Sequence, residues 1–288
     1  MRAMSFLRHI RRCNNYEPGE FVPLEVDGLS VGRVRPVFAE RLLGFPEVFE
    51  GHPHAGIALN SALGGFAERT AAVGRVVDEL AVLGIVQAPF GEPYPVTAGE
   101  RDSAIFLVDR AVASNFGVRT FGQHLNGFVR RHDGIHMWIG RRASDRRLFP
   151  GHLDQMVAGG LPWGISPEKN LAKECHEEAG IDGELAALAT FVGKVSYFAQ
   201  TEKGAKPDVL FCYDLEVPGS FRPQCTDGEV EVFELLPVDQ VMDIVRTSDR
   251  FKPNCNLVVL DFLLRHGYID RTHPEYEAVH SGLRQFQV

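Results

Sequence analysis

The segment from Gly159 to Ile181 constrains the chain most, because its residues read as loop, helix and stop in one fixed register. Ser166 suits a helix N-cap, Pro167 brings the fixed φ and missing N–H that a first helical position tolerates, and Glu168 meets the positive end of the dipole. Gly180 then offers the left-handed residue on which a helix ends. At roughly 100° of rotation per residue, Leu171, Ala172, Cys175 and Ala179 share one arc, while Glu174, Glu177 and Glu178 share another. Carboxylates spaced i, i+3 and i+4 repel one another, so a cation should offset them. Magnesium is suited to this, being a hard cation that takes carboxylate and water oxygens and completes its shell with substrate phosphate oxygens. Taken alone, the run from Lys173 to Glu178 also fits an ordinary solvated acidic face. The glycine pair ahead of the helix, its caps and the closing Gly180-Ile181 favour a site.

The rest of the chain bounds the setting. With 288 residues it can bury a sizeable core, and two domains are expected. No apolar run is long enough to span a bilayer, and a net charge of -8 gives no general attraction to a polyanion, so neither a membrane nor a nucleic-acid polymer is an expected partner. The five cysteines are scattered without metal spacing, which fits a reducing cytoplasm. Arg2, Arg8, Arg11 and Arg12 around Phe6, Leu7 and Ile10 are read as an amphipathic helix, since no h-region or cleavage site follows.

The first hundred or so residues show several helical patterns and no identifiable catalytic motif. Val73, Val76, Val77, Leu80 and Leu83 predict a helix closed by Gly84, and Ile105, Val108, Val112 and Phe116 predict another over 103–116 with Gly117 as its stop. From about Arg119 short strands are predicted, near 126–130, 135–140, 155–159, 187–200, 208–217 and 229–236, with later helices near 238–246 and 255–266. Strands alternating with helices suggest an α/β or α+β sheet with helices on its faces.

The central segment resembles the Nudix box, G-x5-E-x7-R-E-U-x-E-E-x-G-U with U aliphatic. Gly159, Glu174, Glu177, Glu178, Gly180 and Ile181 stand in register, while Ile165 replaces the first glutamate, Lys173 the arginine and Cys175 the aliphatic residue. The resemblance extends to residues 121–128, 153–160, 213–215, 227–230 and 251–255, which look like the Nudix branch related to the domain fused ahead of fungal thiamine pyrophosphokinase. It implies a Nudix α/β/α sandwich with a mixed sheet over 119–288, preceded by a smaller α+β accessory domain over 1–118.

The resemblance also implies a hydrolase that cleaves a small-molecule diphosphate, thiamine diphosphate or an oxidised analogue in particular, to the monophosphate. Glu174, Glu177 and Glu178 would hold Mg2+, with Mn2+ as a substitute and the Gly159 carbonyl assisting. Lys173 would orient a glutamate, keeping the family's charge without the rigid guanidinium fork. Glu229, with Glu231 as its neighbour, is the candidate for a further ligand or general base. Arg142, within the loop that also holds Arg141, Arg146 and Arg147, is a candidate phosphate clamp, as is Lys252; His124 and Asn126 are candidates to meet a heterocycle. For each of these the ordinary alternative is a solvated or backbone-satisfying side chain, and Trp138 and Trp163 are read as packing residues. A nucleotide-sugar or dinucleotide pyrophosphohydrolase, or a non-catalytic metabolite-binding module of the same fold, remain the alternatives. A homodimer is compatible with the sequence.

Overall fold

The structure is a computed structural model and describes residues 5–286, so Arg2 lies outside the described residues. Two hydrophobic cores organise the chain. Helix α1 (Leu7–Cys13) sends Ile10 and Cys13 into the core of the C-terminal half before the chain crosses to the N-terminal one. There β1 (Val22–Val26), β2 (Leu29–Val34), α2 (Pro36–Leu42), β3 (Phe49–His52) and β4 (Gly56–Leu59) build a sheet in the order β2-β1-β4-β3. Alternation drives β1, where Val22, Leu24 and Val26 are buried and Pro23 and Glu25 are not. Helix α3 (Phe66–Val82) buries Val73, Val76, Val77 and Leu80, and Gly84 follows with φ 69°.

The helix predicted over 103–116 is instead a hairpin strand and one helical turn: β5 (Pro93–Val96) pairs with β6 (Phe106–Asp109), and α4 (Ala113–Phe116) follows. Phe106 and Val108 point into the core with a period of two, a spacing that the apolar residues also permit. Of the two helices predicted here by position, the one closed by Gly84 is present as α3 and the one over 103–116 is not.

The C-terminal half runs β7 (Thr120–Arg131), β8 (Gly134–Arg142), β9 (Leu153–Asp154), β10 (Val157–Gly160), α5 (Pro167–Ala179), α6 (Gly183–Ala186), β11 (Thr190–Gln200), β12 (Ala205–Glu216), β13 (Val230–Pro237), α7 (Val238–Thr247), α8 (Pro253–Arg265) and α9 (Tyr276–Gly282). Its main sheet has the order β11-β12-β7-β8-β13, with β10 beside β7 and β9 beside β8. The β12/β7 pair is parallel and the rest antiparallel, so the sheet is mixed. Leu171, Cys175 and Ala179 of α5 pack with Leu125, Met156 and Val157 on one face. On the other, Val258 and Phe262 of α8 pack with Phe128, Leu210 and Cys212. Each fully buried aliphatic chain contributes about 1.5–3 kcal/mol, enough to fix α5 against the sheet. The result is the α/β/α sandwich expected. Among the described residues no helix is long and apolar enough to cross a membrane.

Candidate active site

Helix α5 carries the carboxylates and strand β10 lies against them, and local chemistry explains how the two elements meet. Ser166 accepts from the Lys169 N–H at 3.3 Å and Gly180 adopts φ 63°, so both caps read from the sequence are in place. Gly159 allows the close approach of strand and helix, because a Cβ there would stand 2.6 Å from the Glu174 carboxyl carbon. Strand β10 pairs with β7 along one edge only, and hydrogen-bonded residues alternate along an antiparallel ladder. The Leu161 N–H donates to the Phe121 carbonyl at 2.9 Å, which sets Gly159, opposite Gln123, to face β7. Ala158 and Gly160 face the free edge instead. There the Ala158 N–H donates to Glu178 at 2.9 Å, and the Gly160 carbonyl accepts from Asn170 at 2.9 Å. The backbone carbonyl turned towards the carboxylates is therefore that of Ala158, and the Gly159 carbonyl is turned into the ladder.

Burial and like charges set the electrostatics of the site. Glu178 is 6% exposed, and burial, with Asp154, Glu174 and Glu229 nearby, pushes its carboxyl up to about 8 against one stabilising backbone N–H. Burial also raises Glu174, where Lys173 partly compensates. The Lys173 ammonium lies 3.1 Å from Glu174 and 2.8 Å from Glu177, so the residue in the family's arginine position does contact these glutamates. Glu229 stands just before β13 and pairs with Arg146 at 2.8 Å, while Glu231 is exposed. A divalent ion with hard oxygen ligands fits this donor set, since it would offset the burial and neighbouring negative charge that raise Glu178.

Behind the carboxylates lies a buried polar knot around Asp154. Arg142 at 3.1 Å, Lys252 at 3.5 Å and the Cys255 thiol at 2.8 Å all point at its carboxylate. Burial opposes ionisation of Asp154, but Lys252 and the other donors hold it below the ordinary range. His124, Asp154 and Cys255 converge within 4.8 Å, a spacing that could hold a metal. The two cations already on Asp154, and a thiol that burial pushes far up, make this a satisfied structural cluster.

These contacts correct the expected ligand contacts. His124 is 3% exposed, binds Gln155 at 2.7 Å, and burial pushes it down to about 4; Asn126, 1% exposed, donates to Asp214 at 3.1 Å. Both face α8 in the sandwich interior, so neither meets a heterocycle. Arg142 and Lys252 are tied to Asp154, and Arg141 binds Glu234 and Arg147 binds Gln87, each at 2.7 or 2.8 Å. None of the four is a free phosphate clamp.

Sequence reasoning missed the side chains that the N-terminal half extends to the box loop. The Tyr94 hydroxyl approaches Gly160 so closely that a Cβ would lie 2.1 Å from it. Arg101, 6% exposed, donates to the carbonyls of Pro162 and Ile165, the latter at 2.8 Å. Trp163 donates to the Pro93 carbonyl at 2.7 Å and packs 6.0 Å from Phe66, as a packing residue should. No local pattern marks Arg101, which is 61 residues from Pro162.

The NUDIX domain family matches residues 124–255, and a domain of unknown function (DUF4743) matches residues 5–120. Nudix hydrolase 24, chloroplastic, of Arabidopsis thaliana is 42% identical over 282 residues, covering 97% of this chain and 77% of the relative. Nudix hydrolase 20, chloroplastic, of the same plant is 40% identical over 289 residues, with the same coverage of 97% and 77%. Among solved structures, the MutT protein from Methanosarcina mazei Go1 is 15% identical with a TM-score of 0.39, covering 52% of this chain and 95% of that one. With two relatives of this identity along nearly its whole length and a matching catalytic domain, the chain belongs to the Nudix hydrolase family.

Proposed function

We propose that the protein is a magnesium-dependent hydrolase that cleaves the diphosphate linkage of thiamine diphosphate or an oxidised analogue, giving the monophosphate. The observation carrying the chemistry is the meeting of Glu174 and Glu178 with β10, where Gly159 lets Glu174 approach and the Ala158 N–H donates to the buried Glu178. Glu174, Glu178 and the Ala158 carbonyl would hold the ion, with Glu177 and Glu229 at its margin. When bound, it supplies charge stabilisation to the phosphoryl oxygens and lowers the pKa of water. The chain's own work is positioning: the α5 caps and Gly159 set the carboxylate spacing, and Lys173 spreads charge between Glu174 and Glu177. Glu229, which pairs with Arg146 just before β13, is proposed as the further ligand or general base.

The thiamine reading rests on the resemblance of both halves of the chain to one Nudix branch. Since any diphosphate shares the box chemistry, discrimination must come from groups that meet the organic end. With His124 and Asn126 buried, the half-buried Trp163 and the exposed Phe66 beside it are the groups proposed for that role. Comparing kcat/KM across thiamine diphosphate, its oxidised analogues, nucleotide sugars, dinucleotides and nucleoside triphosphates decides the matter. A thiamine compound is expected to lead. A nucleotide sugar ahead by more than about tenfold, roughly 1.4 kcal/mol of transition-state binding, overturns the substrate and leaves the metal site standing.

A further inference from the structure

The loop 161–166 joins β10, which bears the Ala158 carbonyl, to α5, which bears the carboxylates. Its two ends are fixed from opposite sides. Asn170 of α5 holds the Gly160 carbonyl at 2.9 Å and Gln123 of β7 at 2.7 Å. At the other end, the box position that normally carries a glutamate is Ile165, which packs against Phe121, Leu161 and Val209 and offers no charge. The polar anchor comes from the other half of the chain. Arg101 lies in the turn between β5 and β6, and one of its terminal nitrogens donates to both the Pro162 and Ile165 carbonyls. Its other terminal nitrogen binds Asp102 at 3.0 Å, and its guanidinium stands 6.0 Å from the centre of the Trp163 ring. Gly164, between the two held carbonyls, makes the turn with φ 86°, a conformation open to glycine at no steric cost.

We propose that Arg101 is a positioning residue for metal binding, an arginine supplied by the N-terminal half that completes the Nudix site by clamping the box loop. The inference rests on the metal site described above and extends it, giving the N-terminal half a defined role in the chemistry. A planar, permanently charged donor suits this task because one head reaches two carbonyls while lying beside the indole. Metal geometry tolerates errors of only about 0.5 Å, so loosening a loop that ends on the site should reduce affinity before it reduces folding.

The test uses the full chain and Mn2+ binding followed by electron paramagnetic resonance, without substrate. Arg101→Met keeps the stem and removes every donor, and Arg101→Lys keeps the charge with a single donor head. We expect Arg101→Met to weaken Mn2+ binding by about tenfold, roughly 1.4 kcal/mol, with Arg101→Lys intermediate. Amide exchange at 160–165 should rise in metal-free Arg101→Met while the β7 and β8 amides stay protected. If Arg101→Met does not fold, Arg101→Lys decides by the same reading: weaker Mn2+ binding at an unchanged melting temperature supports the clamp. Mn2+ binding within about twofold of wild type in the folded variants overturns it. That outcome differs from failure of the underlying metal reading, in which the wild-type protein binds no Mn2+ and both fall together.

Discussion

Replacing Glu178 by Gln is expected to lower turnover by about two orders of magnitude or more while the protein remains folded. Glutamine keeps the oxygen that accepts the Ala158 N–H and removes the negative charge that the site needs. Because Glu178 is buried and its carboxyl is pushed up to about 8, the metal-free variant should melt no lower than wild type near neutral pH, and above it at pH 9. Activity and stability then move in opposite directions, as expected where a site stores unfavourable charge for function. Turnover measured against magnesium, paired with thermal melts, checks both halves. Near-normal turnover with an unchanged magnesium optimum would remove Glu178 from the site.

Metal affinity should depend steeply on pH for the same reason. The folded-state pKa of Glu178, about 8, exceeds its ordinary 4.5, so the folded protein keeps a proton that the unfolded chain has already lost. Two consequences follow from the sign. Metal-free stability falls as pH rises from 4.5 towards about 8, the reverse of the usual carboxylate. Metal binding must expel that proton below about pH 8, so the Mn2+ affinity should rise about tenfold per pH unit between roughly pH 6 and 8, then level off. A flat profile across that range would mean that Glu178 is already ionised or takes no part.

The sequence shows most where the signal is local. Ser166, Pro167 and Gly180 mark the ends of α5, and its i, i+3, i+4 glutamates share an arc, because each follows from helix geometry within a few residues. An α/β or α+β sheet with helices on its faces is legible from alternating strands and helices for a similar reason, while the mixed sheet follows only from the family resemblance. Features set by strand pairing were not. Which carbonyl of the Ala158-Gly159 pair faces the carboxylates depends on the register with β7, and a one-residue change of parity reverses the answer. His124 and Asn126 alternate correctly along a strand, but alternation alone does not reveal that α8 covers their face. The segment containing Ile105 and Val108 fits both a helical and a strand period, and only pairing with β5 chose between them. Arg101 carries no local mark at all, since its role exists only once the two halves of the chain meet.

Anomalous diffraction from crystals soaked in Mn2+ tests the central claim most directly, because it locates the ion without reference to any substrate. The ion is expected against Glu174, Glu178 and the Ala158 carbonyl, at the roughly 2.1–2.3 Å typical of hard oxygen ligands. A peak confined to the buried cluster of His124, Asp154 and Cys255, the trio whose ligand atoms already converge within 4.8 Å, would contradict it.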